Sequence, residues 1–360
     1  MKEFLRIEDI PRGQAGPELI EGCLVLEGGA FRGLYTQGFL DAMMENGLNL
    51  SCVIGVSAGA LAGINYVSGQ IGRSARTNLT FRHDSRYVGA KSLLHSHSIL
   101  DVGFLTEDRG ILEPLDYERF KRPDQRYVAV ATDCRTGQAT YFEKGRCVNI
   151  LMAARASATM PFISPVVMVE GAPYLDGGCA CKIPYAWALE QGYEKIVVIR
   201  TRDRSFRDGG RTRREPPALM KEMAKRGLPV SKRIYRTYPI LSERLARREQ
   251  NALRRFYRAY PALMAALEAG PARYNEQCEE LERLDRQGRL LHMTPSRPIQ
   301  VGTIEGDVDK LLALYTLGYG DCMGQLDRLR AYLTKWGQTG DIHRTFKRIQ
   351  RVRSCNKSAE

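Results

Sequence analysis

The chain has no long hydrophobic run. No stretch approaches the roughly 18 uninterrupted apolar residues that a membrane-spanning helix needs. The first residues, M-K-E-F-L-R-I-E-D-I-P-R-G, include acids and lack the apolar run of about 7 to 15 residues that marks a signal peptide. These two absences argue against a membrane span and against export, so we expect a cytoplasmic protein.

Metal-binding patterns are also absent. The nine cysteines are scattered singly except Cys179 and Cys181, whose C-x-C spacing has no second pair to complete a zinc site. Among only five histidines, His95 and His97 lie two apart without a cysteine or carboxylate cluster, a pattern typical of a surface loop. We therefore expect reduced thiols, no metal and no organic cofactor.

Acidic residues are fewer than basic ones. The 54 Lys and Arg residues exceed the 41 Asp and Glu residues, which gives a net charge of +13. A balance of this size indicates contact with anions such as lipid headgroups, nucleic acid or an acidic metabolite. There is no P-loop lysine motif, RNA-binding signature or pair of strands with interleaved aromatic residues, so we expect no nucleic-acid partner.

The stretch around Ser57 predicts a strand, a sharp turn and a helix. An apolar run ends at Gly55, and a run of small, helix-compatible residues begins directly after Ser57. The G-x-S-x-G pattern of Gly55, Ser57 and Gly59 places the serine at the apex of the turn, between neighbours small enough for the strand and helix to approach closely. The bare pattern also fits an ordinary glycine turn with an incidental serine, so its context decides.

A second unit of the same kind precedes it. The short apolar strand at residues 23–26 runs into Gly28 and Gly29, and a helical pattern follows up to Asn46-Gly47. Two such units in tandem predict an α/β fold in which parallel strands are joined by right-handed crossovers. The turns would gather at the carboxyl edge of the sheet, with Gly28 and Gly29 beside Ser57.

Such a glycine turn offers backbone N–H groups to a developing oxyanion, and Arg32 adds a fixed positive charge nearby. The alternatives are a structural turn or a dinucleotide-binding loop. The dinucleotide pattern fails, because Ala30 stands in place of a glycine and no acid follows a second strand at the required distance.

A candidate general base lies further along the chain. Residues 166–169 and 172–175 predict a hairpin around Glu170-Gly171 that ends at Asp176, with Gly177 and Gly178 directly behind. A carboxylate within hydrogen-bond reach of Ser57 can take its proton during attack, and burial raises the pKa of such a carboxylate. A D-G-G sequence alone is more typical of an ordinary turn.

Taken together, L-E-G-G-A-F-R-G, G-V-S-A-G, A-R-A-S-A-T-M-P-F and Y-L-D-G-G resemble a patatin-like phospholipase over roughly residues 22 to 201. The resemblance implies a three-layer sandwich with a mainly parallel central sheet, and a helical C-terminal extension follows here. It implies a Ser57 nucleophile, an Asp176 base without a catalytic histidine, and an oxyanion hole. That hole would comprise the loop at Gly28, Gly29 and Ala30, together with Arg32. Ala30 departs from the family's third glycine, and its methyl group disfavours positive φ.

Composition predicts how the rest of the chain is organised. Residues 202–214 predict a charged, glycine-containing loop. The basic stretch from Pro216 to about Gly288 is helical in pattern, and it predicts either a membrane-facing or gating cap or a subdomain with a solvated basic face. Beyond it, residues 290–293 and 299–302 predict a return strand broken by a proline turn, and residues 309–317 a short helix. The predicted segments are a polar lead-in (1–21), a patatin-like catalytic domain (22–201), a basic helical cap or subdomain (202–288), a return strand and helices (289–338) and a basic tail (339–360).

The leading interpretation is a serine acyl hydrolase that cleaves lipid or small esters through a Ser-Asp dyad. Two alternatives stay open: a Ser-Asp-His esterase, for which His292 is the serious candidate after Asp176, and a nucleotide- or anion-binding module without catalysis. One interpretation of the basic segment is that it lets the protein associate peripherally with the inner surface of an anionic membrane. The sequence does not indicate an oligomeric state.

Overall fold

The computed structural model describes residues 4–87, 113–161, 164–209, 259–302 and 305–334. The sequence expectations for His95 and His97, for residues 210–258 of the basic segment and for the tail lie outside the described residues. The strands are β1 Gly13–Gln14, β2 Ile20–Leu26, β3 Leu50–Val56, β4 Gln70–Ile71, β5 Arg126–Asp133, β6 Ala139–Glu143, β7 Val167–Val169, β8 Ala172–Asp176, β9 Ile196–Ile199 and β10 Leu291–Met293. The α-helices are α1 Gly33–Glu45, α2 Ala58–Val67, α3 Arg73–Thr80, α4 Tyr117–Lys121, α5 Ile150–Ser157, α6 Tyr185–Glu190, α7 Pro261–Arg286, α8 Val308–Gly324 and α9 Leu326–Thr334. Short 3₁₀ turns cover Ile7–Asp9, Ala30–Arg32 and Gly177–Cys179.

The main sheet has eight strands, in the order β10-β9-β2-β3-β5-β8-β7, with β6 also paired to β5. The five strands from β10 to β5 run parallel to one another. The strands β6, β7 and β8 are joined antiparallel. The predicted parallel sheet is therefore confirmed, and its β7–β8 end is the predicted hairpin.

The central strands are apolar on both faces because helices cover both. On one face, Leu24, Val53 and Val197 lie in a core cluster that also contains side chains of α1, α2 and α8. On the other face, Val25, Ile54 and Val198 join the cluster that contains residues of α6 and α7. Near-continuous hydrophobic strands are typical of parallel sheets buried in this way. The three-layer sandwich expected from the sequence is confirmed.

Two elements near the C-terminal end of the described chain differ from the sequence expectation. Helix α8 runs on to Gly324 instead of ending near residue 317. Its internal Gly318 sits against α1, where an added Cβ would lie 1.9 Å from the Tyr35 carbonyl oxygen, so this glycine allows close helix packing and does not end the helix. Residues 299–302 form no strand, and β10 alone returns to the sheet.

The N-terminal residues pack onto the domain. Phe4 and Ile10 are buried in the core cluster with α1 and α8. Strand β1 pairs with β4 in a separate two-stranded sheet. Although this segment is polar in composition, its few apolar side chains pack against the helical layer.

Candidate active site

Ser57 occupies the sharp turn between β3 and α2. It has φ of 55°, one of three positive values among the described residues other than glycine. Left-handed backbone at a serine costs on the order of 1–3 kcal/mol, and it persists only where the surrounding structure holds it. Here the strand and helix touch: a Cβ on Gly55 would lie 2.5 Å from the carbonyl carbon of Gly59, and one on Gly59 would lie 2.5 Å from the Leu26 carbonyl oxygen. Only glycine fits at both positions.

A second serine supports the turn from behind. The Ser57 N–H donates to the Ser157 hydroxyl oxygen at 2.9 Å, and the Ser157 hydroxyl donates to the Val130 carbonyl at 2.6 Å. Ser157 ends α5 and is fully buried. Our sequence reasoning did not single it out, although it lies inside the A-R-A-S-A-T run. A hydroxyl within a helix of small residues was the available signal.

The glycine turn after β2 lies directly beside Ser57. A Cβ on Gly28 would be 3.0 Å from the Ser57 Cβ, and one on Gly29 would be 2.6 Å from the Thr201 hydroxyl oxygen. Within the described residues, the N–H groups of Gly28 and Gly29 donate no hydrogen bond. Ala30 adopts φ of 49° despite its methyl group, so it accepts the conformation that glycine would take more easily.

Glu27 and Thr201 hold this turn in place, and sequence reasoning missed both. The Glu27 carboxylate, itself buried, accepts a hydrogen bond from the Thr201 N–H. The Thr201 hydroxyl lies 2.8 Å from the Gly28 carbonyl oxygen, to which it donates. These contacts join the end of β2 to the end of β9, and they orient the free N–H groups of the turn.

Arg32 is not among the residues that line the pocket containing Ser57. Burial, together with the charge of Arg202, lowers the pKa of its guanidinium to about 10, although Glu27 and Tyr274 act in the opposite direction. The group stays charged at neutral pH. Its Nε is buried without a hydrogen-bond partner in the described part of the chain.

The strand register brings Asp176 to Ser57. Along β5, Val130 pairs with Val56 of β3 on one edge and with Tyr141 of β6 on the other. The next residue, Ala131, pairs with Asp176 and with Thr140 of β6. Strand β6 pairs with the same edge of β5 at both positions. Strand β8 therefore pairs with the opposite edge of β5, directly after the point where the pairing with β3 ends. Asp176 is therefore one residue step from Val56, which immediately precedes Ser57.

The Asp176 carboxyl is buried and polar contacts hold its backbone. Its N–H donates to the Thr159 carbonyl at 2.8 Å, and its own carbonyl accepts from the Thr132 hydroxyl at 2.8 Å. Behind it, a Cβ on Gly177 would lie 2.1 Å from the Val130 carbonyl oxygen, so the turn needs glycine to pass so close to β5. The backbone N–H of Gly178 donates to the Asp176 carboxylate at 2.7 Å.

Burial raises the pKa of Asp176 from 3.8 to about 6. The nearby Ser57 side chain, the hydrogen bond from the Gly178 N–H and the charge of Lys182 favour the ionised form and limit the rise in pKa. At neutral pH the carboxylate is therefore mostly ionised, and it is more basic than an exposed aspartate. A carboxylate beside a serine hydroxyl in this way can accept the serine proton.

A cleft that is partly open to solvent contains Ser57 in its wall, and its space, including the open part, is about 460 Å³. Its lining is mostly apolar. The lining residues are Ala30, Phe31, Gln37, Ser57, Ala58, Leu61, Asn78, Tyr87, Ala158 and Met160.

His292 is far from this pocket. It lies in β10, and the sheet order places β9 and β2 between that strand and β3. Three interstrand spacings amount to about 14 Å, well beyond hydrogen-bond reach of Ser57. Burial and the nearby charges of Arg200 and Arg204 lower the pKa of His292 to about 3. The geometry gives the Ser-Asp-His alternative no support.

Two features are absent from the residues that the structure describes. They contain no group of three or more His, Cys, Asp or Glu residues that could hold a metal ion. No helix among them is both long enough and apolar enough to cross a membrane.

Comparison with known proteins connects this geometry to a family. Residues 24–189 match the family model described as patatin-like phospholipase, and residues 260–334 match a domain of unknown function, DUF6363. The second match begins just before α7 and covers β10, α8 and α9.

Curated relatives match about half of the chain. An uncharacterised Escherichia coli K12 protein, YjjU, is 31% identical over 184 residues, which is 50% of this chain and 51% of the relative. Uncharacterised NTE family proteins of Mycobacterium bovis and Mycobacterium tuberculosis H37Rv are each 30% identical over 181 residues, covering 49% of this chain and 46% of theirs. The chain thus spans about half the length of the curated relatives that it matches.

Among solved structures, the crystal structure of VipD from Legionella pneumophila aligns with a TM-score of 0.43 and 15% identity, over 91% of this chain and 71% of that one. The family model covers the two strand–turn–helix units, the whole β7–β8 hairpin and Asp176. Residues 24–189 therefore form a patatin-like phospholipase domain.

Proposed function

We propose that the protein is a serine acyl hydrolase that cleaves ester bonds of lipids. The observation that carries this proposal is the placement of the buried Asp176 carboxyl beside Ser57, set by the strand register, at the wall of a mostly apolar pocket. The match of residues 24–189 to the patatin-like phospholipase family supports the same reaction class.

In the proposed reaction, the Ser57 oxygen attacks the ester carbonyl carbon while Asp176 accepts the serine proton. The carbonyl oxygen becomes an oxyanion, which the N–H groups of Gly28, Gly29 and Ala30 stabilise. Asp176 then gives the proton to the departing alcohol, and an acyl-enzyme forms. Water, deprotonated by Asp176, attacks the acyl-enzyme and releases the fatty acid and the Ser57 hydroxyl.

Several structural observations support these roles. The Gly28 and Gly29 N–H groups are uncommitted within the described residues, and Gly28 adjoins Ser57. The raised pKa of Asp176 suits a base that works near neutral pH. Arg32 lies outside the pocket lining, so we assign it the supporting role of a positive charge beside the Glu27 carboxylate.

The proposed setting is the cytoplasm, with peripheral contact at an anionic membrane surface. Eight cysteines in the described part of the chain are free, which is usual in a reducing compartment. The net charge of +13 favours approach to anionic lipid. Vesicle binding that weakens with added salt is the expected behaviour.

Labelling with a fluorophosphonate probe tests the nucleophile. We expect the wild type to be labelled and to hydrolyse a short-chain p-nitrophenyl ester, and Ser57→Ala to lose both activities. Ser68→Ala is the matched control, because this buried serine lies at the opposite end of α2 and bonds only to the Asn65 carbonyl there. Labelling that survives in Ser57→Ala, or that is absent from folded wild-type protein, would overturn the proposal.

A further inference from the structure

Helix α7 holds the main chain that directly follows Asp176. Arg273 donates a hydrogen bond from Nη1 to the Ala180 carbonyl. One helical turn later, on the same face of α7, Gln277 donates from Nε2 to the Ile183 carbonyl at 3.0 Å. We call residues 176–183 the acid turn. Two side chains of one helix thus fix the position of the acid turn just beyond the candidate base.

Hydrogen bonds connect the Ala180 end of this contact to the aspartate itself. The Ala180 N–H donates to the Thr132 hydroxyl oxygen at 3.2 Å, and that hydroxyl donates to the Asp176 carbonyl at 2.8 Å. Within the acid turn, the Cys181 N–H donates to the Gly177 carbonyl at 2.8 Å. A shift of the Ala180 peptide group would therefore reach the main chain of the aspartate through a single hydroxyl.

Apolar packing joins α7 to the same region. Leu263, near the start of the helix, is fully buried in a cluster with Leu175 and Cys179, which lie on either side of the aspartate and its two glycines. The helix start also lies close to the turn after β5, where a Cβ on Gly137 would be 2.3 Å from the Ala262 carbonyl oxygen. The position of α7 against the sheet is therefore fixed by more than its polar contacts.

A third polar connection passes through the loop after β9. The Asp208 N–H donates to Asn275 Oδ1 at 2.8 Å, and Asn275 Nδ2 donates to the Asp208 carbonyl at 3.0 Å. The Asp208 carboxylate pairs with Lys182 of the acid turn at 2.7 Å. A Cβ on Gly178 would lie 3.8 Å from Lys182 Cγ, so this lysine stem packs beside the glycine whose N–H bonds to the Asp176 carboxylate.

We propose that α7 positions the candidate base for Ser57, with Arg273 as the principal positioning residue. The acid turn lies in the patatin-like match, whereas α7 lies in the match to DUF6363, so the proposal gives that domain of unknown function a role in the active site. Arg273 does not line the pocket, and it acts through Ala180. A charged donor suits this task, because its hydrogen bonds are stronger than those between neutral groups. The inference rests on the proposed acyl-hydrolase function.

Arg273→Met tests the proposal, because it keeps most of the side-chain length and removes the donor. We expect kcat for a short-chain p-nitrophenyl ester to fall about tenfold, since the base is less well placed. The KM should stay within about twofold, because Asp176 acts in both the formation and the hydrolysis of the acyl-enzyme. The rate of fluorophosphonate labelling of Ser57 should fall in parallel. Arg273→Lys, which keeps a charged donor, should recover kcat to within about threefold of the wild type.

Arg283→Met is the matched control on the same helix. The Arg283 guanidinium is exposed and donates to Glu280 and Gln287, close to its own position on the helix and away from the acid turn. Its kcat should stay within about twofold of the wild type. Gln277→Met is a second variant, and its loss of kcat should be smaller, about threefold, because Ile183 lies farther along the chain from Asp176 than Ala180 does. It decides the question if Arg273→Met does not fold.

Wild-type kcat and labelling in folded Arg273→Met would overturn the inference, as would an equal fall in Arg283→Met. If Arg273→Met does not fold, wild-type kcat in Gln277→Met overturns it. Each of these results, obtained while the wild type hydrolyses the ester and is labelled at Ser57, leaves the proposed function standing. Absence of both hydrolysis and labelling in the folded wild type would instead overturn the proposed function, and this inference with it.

Discussion

Two places at the carboxyl edge of the sheet bury ionisable side chains, and they differ in almost every other respect. At the β3–β8 junction, Asp176 lies beside Ser57, accepts a hydrogen bond from the Gly178 N–H and has a pKa raised to about 6. At the other end, His292 on β10 has both ring nitrogens buried without partners in the described part of the chain, and a pKa lowered to about 3. The first place lies beside the pocket that Ser57 lines.

The difference teaches that burial alone does not make a candidate active site. Burial drives both groups toward their neutral form, as it does for any ionisable side chain. For His292, the neutral form neither releases a proton near neutral pH nor contacts a hydroxyl. For Asp176, hydrogen bonds and the Lys182 charge keep an ionised fraction available beside a nucleophile. Asp176 and His292 therefore differ in the groups that surround them more than in how deeply they are buried.

Among the substitutions that test this difference between Asp176 and His292, Asp176→Asn should have the largest effect on activity. The amide is nearly isosteric and can still accept the Gly178 N–H, so the fold should persist, but it cannot take the serine proton. We expect kcat for a short-chain ester to fall on the order of 10² to 10⁴-fold. Hydrolysis at the wild-type rate by a folded variant would show that the base is another group.

The pH dependence of the rate should report the same carboxyl. Because Asp176 must be ionised to act as a base, kcat/KM should fall about tenfold per unit as pH drops below about 6, and it should level off above that value. Steady-state kinetics on a small soluble ester measure this limb. A limb centred near pH 3.8, the ordinary aspartate value, would contradict the effect of burial.

The raised pKa has an opposite consequence for stability. A group that binds its proton more tightly in the folded state stabilises the fold at low pH, and this contribution is lost as pH rises through the folded pKa of about 6. Asp176→Asn should therefore gain stability relative to the wild type at pH above about 7, by up to about 3 kcal/mol, with less gain at pH below about 4. The buried Asp41, whose pKa is raised to about 7, is common to both proteins and cancels in the difference.

Ser157→Ala tests the support of the turn and should have an intermediate effect. It leaves the buried Ser57 N–H without its acceptor, a loss on the order of 1–3 kcal/mol in the free energy of unfolding. We expect activity to fall by about tenfold, because the nucleophile is less firmly held. Chemical denaturation and ester kinetics on one preparation measure both. An unchanged stability would mean that water replaces the lost hydroxyl.

His292→Leu should have the smallest effect. The substitution removes two ring nitrogens that have no partners within the described residues, so stability should stay level or increase. Ester hydrolysis should stay within about threefold of the wild type, since His292 lies about 14 Å from β3 across the sheet. A loss of several orders of magnitude with the fold intact would break the comparison and restore the Ser-Asp-His alternative.

The sequence by itself determined the local units. Apolar runs that end in glycine, followed by helical patterns, predicted β2 with its turn, β3 with its turn, and the parallel sheet that they form. The hairpin around Glu170-Gly171 was also predictable, since both residues take positive φ as a two-residue turn requires. These features depend on the backbone preferences of a few neighbouring residues, so they can be predicted from the local sequence.

Only the tertiary structure decided which side chains meet. Ser157 supports Ser57 from 100 positions away, and Thr201 reaches Glu27 across 174 positions. The register that places Asp176 one step beyond Val56 depends on which edge of β5 is left open by β6. No local pattern encodes such contacts, because each depends on how distant elements pack and on which hydrogen-bond partners remain unused.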